Sequence, residues 1–118
     1  AEPFVLENST KGGTLDMLIN AGALHNEMAR RSAERGLAVF GSSANRSLTG
    51  SKYRLQDIEP SVRTVADLAI DYGTSKYANA EGRSSTIIDF RDFSVVRRGV
   101  CFDRICGIFA RDFGITLR

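Results

Sequence analysis

The apolar and polar positions along the chain switch between two periods, and the switches predict its elements. Pro3 to Leu6 is a short apolar run suited to a strand. Asn8 to Gly13 is rich in turn residues. Leu15, Met17 and Ile19 alternate along Thr14 to Ile19, as in a strand; Leu15, Leu18 and Ile19 also fit a helical period, so this segment starts either element. Asn20-Ala21-Gly22 reads as a break. Ala23 to Arg35 then turns helical, with Leu24, Met28 and Ala33 set to face inward and Glu27, Arg30, Arg31 and Glu34 left in water. Gly36 is a natural stop, and Leu37 to Phe40 reads as a buried strand.

Gly41 to Lys52 is a long polar loop. Arg54 to Thr64 has a helical flavour interrupted by Pro60. Ala66 to Tyr72 reads as a strand closed by Gly73, and Thr74 to Arg83 as a second polar loop. Ser84 to Phe90 and Phe93 to Arg97 predict a hairpin with Arg91-Asp92 near its turn. Val100 to Phe113 closes as a helix, in which Phe102, Ile105, Phe109 and Phe113 recur at three or four residues, a stripe that predicts core packing. No repeat, linker or low-complexity stretch interrupts this order. Strands alternating with helices predict a mixed α/β (α+β) fold.

Composition narrows the class. With 118 residues, the chain makes one domain or part of one. Hydrophobic residues at 42% and charged residues at 25% argue against wholesale disorder and for a soluble globular chain. No apolar run reaches the roughly 20 residues of a membrane helix. Ala1-Glu2-Pro3 opens no signal peptide, and a cytoplasmic location is expected. There is no initiating Met, which reads as a chain processed, truncated or excised from something longer. The net charge of +2 is too small to predict a nucleic-acid protein by itself. Of the 16 basic residues only Lys11, Lys52 and Lys76 are lysines; the rest are arginines, whose planar fork matches phosphate and carboxylate.

Several residue types are expected to carry no chemistry. Cys101 and Cys106 form neither a CxxC nor a zinc spacing. Five apart in a predicted helix, they fall on different faces and read as two buried free thiols. Asn8-Ser9-Thr10 and Asn45-Arg46-Ser47 match the glycosylation pattern and are expected to be inert without a signal peptide. His25 is the lone histidine, set in a polar stretch that offers no partner for a metal site or a Ser–His dyad. There is no P-loop, GxGxxG, HExxH or GxSxG. Three polar segments beside predicted strands stand out: Ser42-Ser43-Ala44-Asn45, Gly82-Arg83-Ser84-Ser85-Thr86, and Arg97-Arg98-Gly99. Hydroxyls, a carboxamide and guanidinium groups meeting at strand ends suit a phosphorylated or zwitterionic ligand.

The order of these segments resembles the later part of the Sua5/YciO/YrdC family. Ser43-Ala44-Asn45 matches its S-A-N-x-S-G-like loop. Asp67 to Gly73, as DLAIDYG, matches its D-x-I-L-D-G-G strand. Ser85-Thr86-Ile87-Ile88-Asp89 matches E-S-T-V-V-D, and Val96-Arg97-Arg98-Gly99-Val100 matches the R-x-G strand end. Pro3 to Asn8 is similar to the family's T-F-I-L strand. The resemblance covers nearly all of the chain. It implies a twisted, mixed β-sheet with flanking helices and a concave, positively charged surface. It also implies L-threonylcarbamoyladenylate synthesis from threonine, bicarbonate and ATP, with release of pyrophosphate, for the t6A modification of tRNA. In such a nucleotidyltransferase Ser43 and Asn45 would bind nucleotide phosphates and ribose, Ser85 would serve the nucleotide–threonine site, and Arg97 would pair with phosphate or carboxylate oxygens. Mg²⁺ is expected with ATP by analogy.

The chain departs from the family pattern at four points. The family's K-x-R motif should precede the opening strand, and Lys11 and Arg30-Arg31 stand in the wrong order and context to supply it. Ser84 stands where Glu is common, Arg98 where Pro is common, and the loop after Arg46 is one residue longer. The expectation is therefore a partial domain spanning residues 1–118, either a fragment or a shortened member unable to perform the full reaction. A non-catalytic module binding tRNA or double-stranded RNA and an inactive paralogue are the rival readings. An unpaired sheet edge predicts self-association or poor stability alone.

Overall fold

A computed structural model describes residues 3–19 and 21–118. Ala1, Glu2 and Asn20 lie outside the described residues, Asn20 being the first residue of the predicted break. The fold is mixed α and β, with helices and two separate two-stranded antiparallel sheets. No helix among the described residues is long and apolar enough to cross a membrane. The chain divides into two compact units, residues 1–42 and 43–118.

The first unit opens with helix α1, Pro3–Ser9, where a strand was expected. Proline's fixed φ suits a first helical turn. The side chains of Asn8 and Thr10 donate back to the carbonyls of Phe4 and Leu6 at 2.8 and 2.7 Å, and Ser9 does the same to Val5. Such bonds to the carbonyl four residues back occupy the acceptors at the end of the helix, where they compete with its continuation. Strands β1, Thr10–Lys11, and β2, Thr14–Leu15, pair antiparallel around Gly12-Gly13. Both glycines have positive φ, 58° and 74°, as the tight hairpin turn demands. Of the two elements open to Thr14 to Ile19, a strand forms but ends at Leu15, and Met17, Leu18 and Ile19 are exposed.

Helix α2, Ala23–Glu34, follows the helical pattern closely. Gly36, at φ 67°, receives the chain. Its N–H reaches the carbonyl of Ala33 and the N–H of Leu37 reaches that of Ser32, a Schellman stop. The inward face expected of this helix is not buried: Leu24, Met28 and Ala33 are all exposed. Instead the helix is stitched along its wet side, with Glu27 pairing Arg30 at 2.7 Å and Arg31 at 2.6 Å, and Arg30 also pairing Glu34. Such exposed pairs are screened by water, so each adds little. Leu37 to Phe40 is not a strand, and it has no ladder partner among the described residues.

In the second unit Pro60 does not interrupt a helix but starts one, α3, Pro60–Arg63, with its missing N–H at a position that needs none. A single 3₁₀ turn at Leu55–Asp57 precedes it. Ala66 to Tyr72 is also not a strand; Leu68, Ile70 and Tyr72 are exposed and find no ladder partner among the described residues. The predicted hairpin is present as β3, Ile87–Asp89, and β4, Ser94–Arg97. The chain end extends it: the N–H of Val95 donates to the carbonyl of Arg118 at 2.6 Å, and that of Arg118 to Phe93 at 3.2 Å.

The last helix, α4, spans Phe102–Phe113 and ends at Gly114, φ 65°. Its apolar stripe meets the hairpin loop: the Phe109 ring lies 6.0 Å from Phe90, 6.0 Å from Phe93 and 5.9 Å from Phe113, centroid to centroid. The two free cysteines are not buried as predicted. Cys101 is exposed just before α4, and Cys106 is half-buried within it.

Candidate functional site

Two of the three polar segments come together in the second unit. Ser85 pairs with Val100 in an isolated parallel bridge, which brings Gly82–Thr86 alongside Arg97–Gly99. Three bonds fix the approach. The N–H of Val100 donates to the carbonyl of Ser84 at 2.8 Å. The Thr86 hydroxyl donates to the carbonyl of Val100 at 2.9 Å and accepts the N–H of Gly99 at 3.1 Å. The contact is so close that a Cβ on Gly99 would lie 2.2 Å from the Ser84 carbonyl oxygen. Glycine is here for space, not for backbone freedom.

A register shift between Ile87 and Ile88 leaves Val96 as an extra residue on β4, since Val95 faces Ile88 and Arg97 faces Ile87. Such bulges re-aim the side chains beside them. Arg97 turns onto Ser85, donating from Nε to its carbonyl at 2.8 Å and from Nη2 to its hydroxyl at 3.0 Å. The Ser85 hydroxyl thus accepts from the guanidinium and keeps its own proton to give to a ligand. Both side chains are exposed. The pair offers guanidinium N–H groups and a hydroxyl proton side by side, which suit an anionic oxygen.

Ser43 and Asn45 form a separate turn. The N–H of Asn45 donates to the Ser43 carbonyl at 2.9 Å, and its Nδ2 donates to the carbonyl of Arg46 at 2.8 Å. Thr49 closes on the same Arg46 carbonyl with its N–H and its hydroxyl, at 3.1 and 2.8 Å. Lys52 then pairs Glu59 at 3.3 Å. Glu59's own backbone N–H, and after it Lys52, hold that carboxyl below the usual carboxylate range. No hydrogen bond joins this loop to the Ser85–Arg97 pair among the described residues.

One network had no sequence signal. The Tyr53 hydroxyl donates to the Arg83 carbonyl at 2.6 Å, and Asn79 Nδ2 reaches both the Tyr53 hydroxyl and that carbonyl, at 2.9 and 3.0 Å. Asn79 Oδ1 accepts the Arg83 N–H at 2.8 Å. The Tyr53–Asn79 pairing spans 26 positions, which no local period reveals. It anchors the strand end that carries Ser85. Thr86 stood within a quoted motif, but only its two-way bond shows it as the clasp between the segments.

Among the described residues no three His, Cys, Asp or Glu side chains gather as a metal cluster, and His25 is exposed. Comparison with protein-family models, with curated proteins and with solved structures gave no match.

Proposed function

We propose that this chain carries part of the nucleotide site of an L-threonylcarbamoyladenylate synthase-like domain, with a YrdC-like fold. The observation that carries the reading is the Arg97–Ser85 pairing. The two strand-end segments picked out for an anionic ligand present a guanidinium and a hydroxyl side by side. Ser43 and Asn45 add a hydroxyl and a carboxamide for ribose or phosphate, and ATP, L-threonine and bicarbonate are the substrates.

Adenylation builds negative charge on the transferred phosphorus and on departing pyrophosphate, and fixed donors stabilise it as it forms. Arg97 supplies the positive fork, held in place by the Ser85 carbonyl. Ser85 donates its free proton to a phosphate or carboxylate oxygen. Mg²⁺ arriving with ATP would supply charge neutralisation.

The test is ATP binding by calorimetry, in the native chain and in Asn45→Ala, Ser85→Ala and Arg97→Ala. Arg97→Ala is expected to cost about tenfold or more in affinity, the scale of a lost charged hydrogen bond, with Ser85→Ala smaller. Equal affinity in all the variants overturns the reading. Mass spectrometry of a mixture with threonine, bicarbonate and Mg²⁺ then separates turnover from binding alone. Binding without product favours a relative that holds the nucleotide but lacks the K-x-R chemistry.

A further inference from the structure

An open cleft of about 850 Å³ lies between the loop after Thr74 and the start of α4. It does not include Arg97 or Ser85, and it is independent of the reading above. Arg97 and Arg98 are neighbours in sequence, yet Arg97 turns to Ser85 while the Arg98 guanidinium sits 4.9 Å over the Phe102 ring in the cleft wall. Lys76, Arg83 and Arg104 join Arg98 around the cleft, against Glu81 and Asp103. That leaves four cations facing two carboxylates, an excess of two positive charges in one place. None of the four is in an ion pair among the described residues.

The arrangement is held from behind. Arg83 is fixed through its backbone by Asn79 and Tyr53. Lys76 rests 5.4 Å over the Tyr77 ring. A cation resting on an aromatic face keeps its outward N–H groups available. The α4 end that borders the cleft has no side-chain cap, which adds to the positive field without being needed for the argument. A single carboxylate is too small and too weakly charged to answer cations spread around such a volume. A ligand with several phosphate oxygens answers them, and arginine's fork matches those oxygens.

We propose that this cleft is a second anion site that binds the phosphate groups of a polyanionic ligand. Cys101 lines the same cleft and is exposed, so its thiol reports on occupancy. In the full chain carrying Cys106→Ser, Cys101 is the sole thiol, and its alkylation by uncharged iodoacetamide is followed at fixed ionic strength. Pyrophosphate and a short single-stranded oligonucleotide serve as probes. Protection of about tenfold is expected with probe at about ten times its Kd, by mass action. It should disappear in Arg83→Ala/Arg98→Ala, weaken in Arg104→Gln, and persist in Arg97→Ala. Protection by pyrophosphate marks free oligophosphate as the source, and protection by the oligonucleotide alone marks a nucleic-acid backbone. No protection by either probe, or undiminished protection in the double variant, overturns the proposal.

Discussion

The two hairpins of this protein solve the same local problem and differ in what stands behind them. The β1–β2 hairpin turns on Gly12-Gly13, both left-handed, and among the described residues pairs Thr10 with Leu15 and Lys11 with Thr14. The β3–β4 hairpin turns on Phe90 to Phe93. Its loop rings pack on Phe109, its outer edge is paired to Arg118, and its open end is clasped to Val100 through Thr86. A two-stranded ribbon alone is marginal in water. Turn chemistry can start a hairpin, but contacts from distant sequence keep it, and the candidate site sits on the hairpin that has them.

The largest blow to that difference is Gly99→Ala. The new Cβ would lie 2.2 Å from the Ser84 oxygen and 2.4 Å from the Ser85 carbonyl carbon, both backbone atoms. The segments must part, releasing the bonds at Val100 and Thr86 and removing the Ser85 side of the Arg97 contact. The expected loss is at the upper end of the roughly 1–3 kcal/mol for overpacking, read as a lower urea midpoint. Val100's amide should lose hydrogen-exchange protection at the same time. A variant with unchanged exchange at Val100 would show that this clasp does not hold the β3–β4 end.

Phe109→Ala comes next. It removes the ring on which Phe90, Phe93 and Phe113 converge, and since all of these are partly exposed the cost is about 2 kcal/mol rather than the larger figure of a sealed core. Leu15→Ala in β2, half-exposed and without such a cluster, should change the midpoint by less than about 0.5 kcal/mol. Similar losses in the two variants would erase the contrast between the hairpins.

These contrasts also explain what was legible in the sequence. α2 with its Gly36 stop, the β3–β4 hairpin and α4 could be read because periodicity, turn residues and glycine caps are local signals. The strands expected at Pro3–Leu6, Leu37–Phe40 and Ala66–Tyr72 were not, because an apolar run does not say whether a partner strand exists. At α1 the apolar run concealed a proline suited to a first helical turn, Pro3. At the site, Ser85 and Arg97 were both visible as residue types at strand ends. Their meeting depends on the bulge at Val96 and the small size of Gly99, which only the backbone shows.

The smallest effect separates the hairpins by pH. Asp89, in β3, takes the Nε and Nη2 of Arg91 at 3.1 and 2.6 Å and the Arg91 N–H at 2.9 Å. First that side chain and then that N–H lower its pKa from 3.8 to about 2. Asp92 is also lowered, chiefly by the Ser94 side chain and then its N–H. A carboxylate whose pKa falls on folding stabilises the fold above its unfolded pKa, and the contribution fades as pH drops through the folded value. Acid between about 4 and 2 should therefore loosen the β3–β4 turn more than the Gly12-Gly13 turn, whose residues Lys11 to Thr14 include no carboxylate. Carboxyl ¹³C shifts should titrate near 2 at Asp89. In Arg91→Ala the midpoint should move up toward the ordinary value, though not fully, because the residue-91 N–H remains. A native midpoint near 3.8 would mean that Arg91 does not hold the turn in solution, and the pH contrast between the two hairpins would vanish with it.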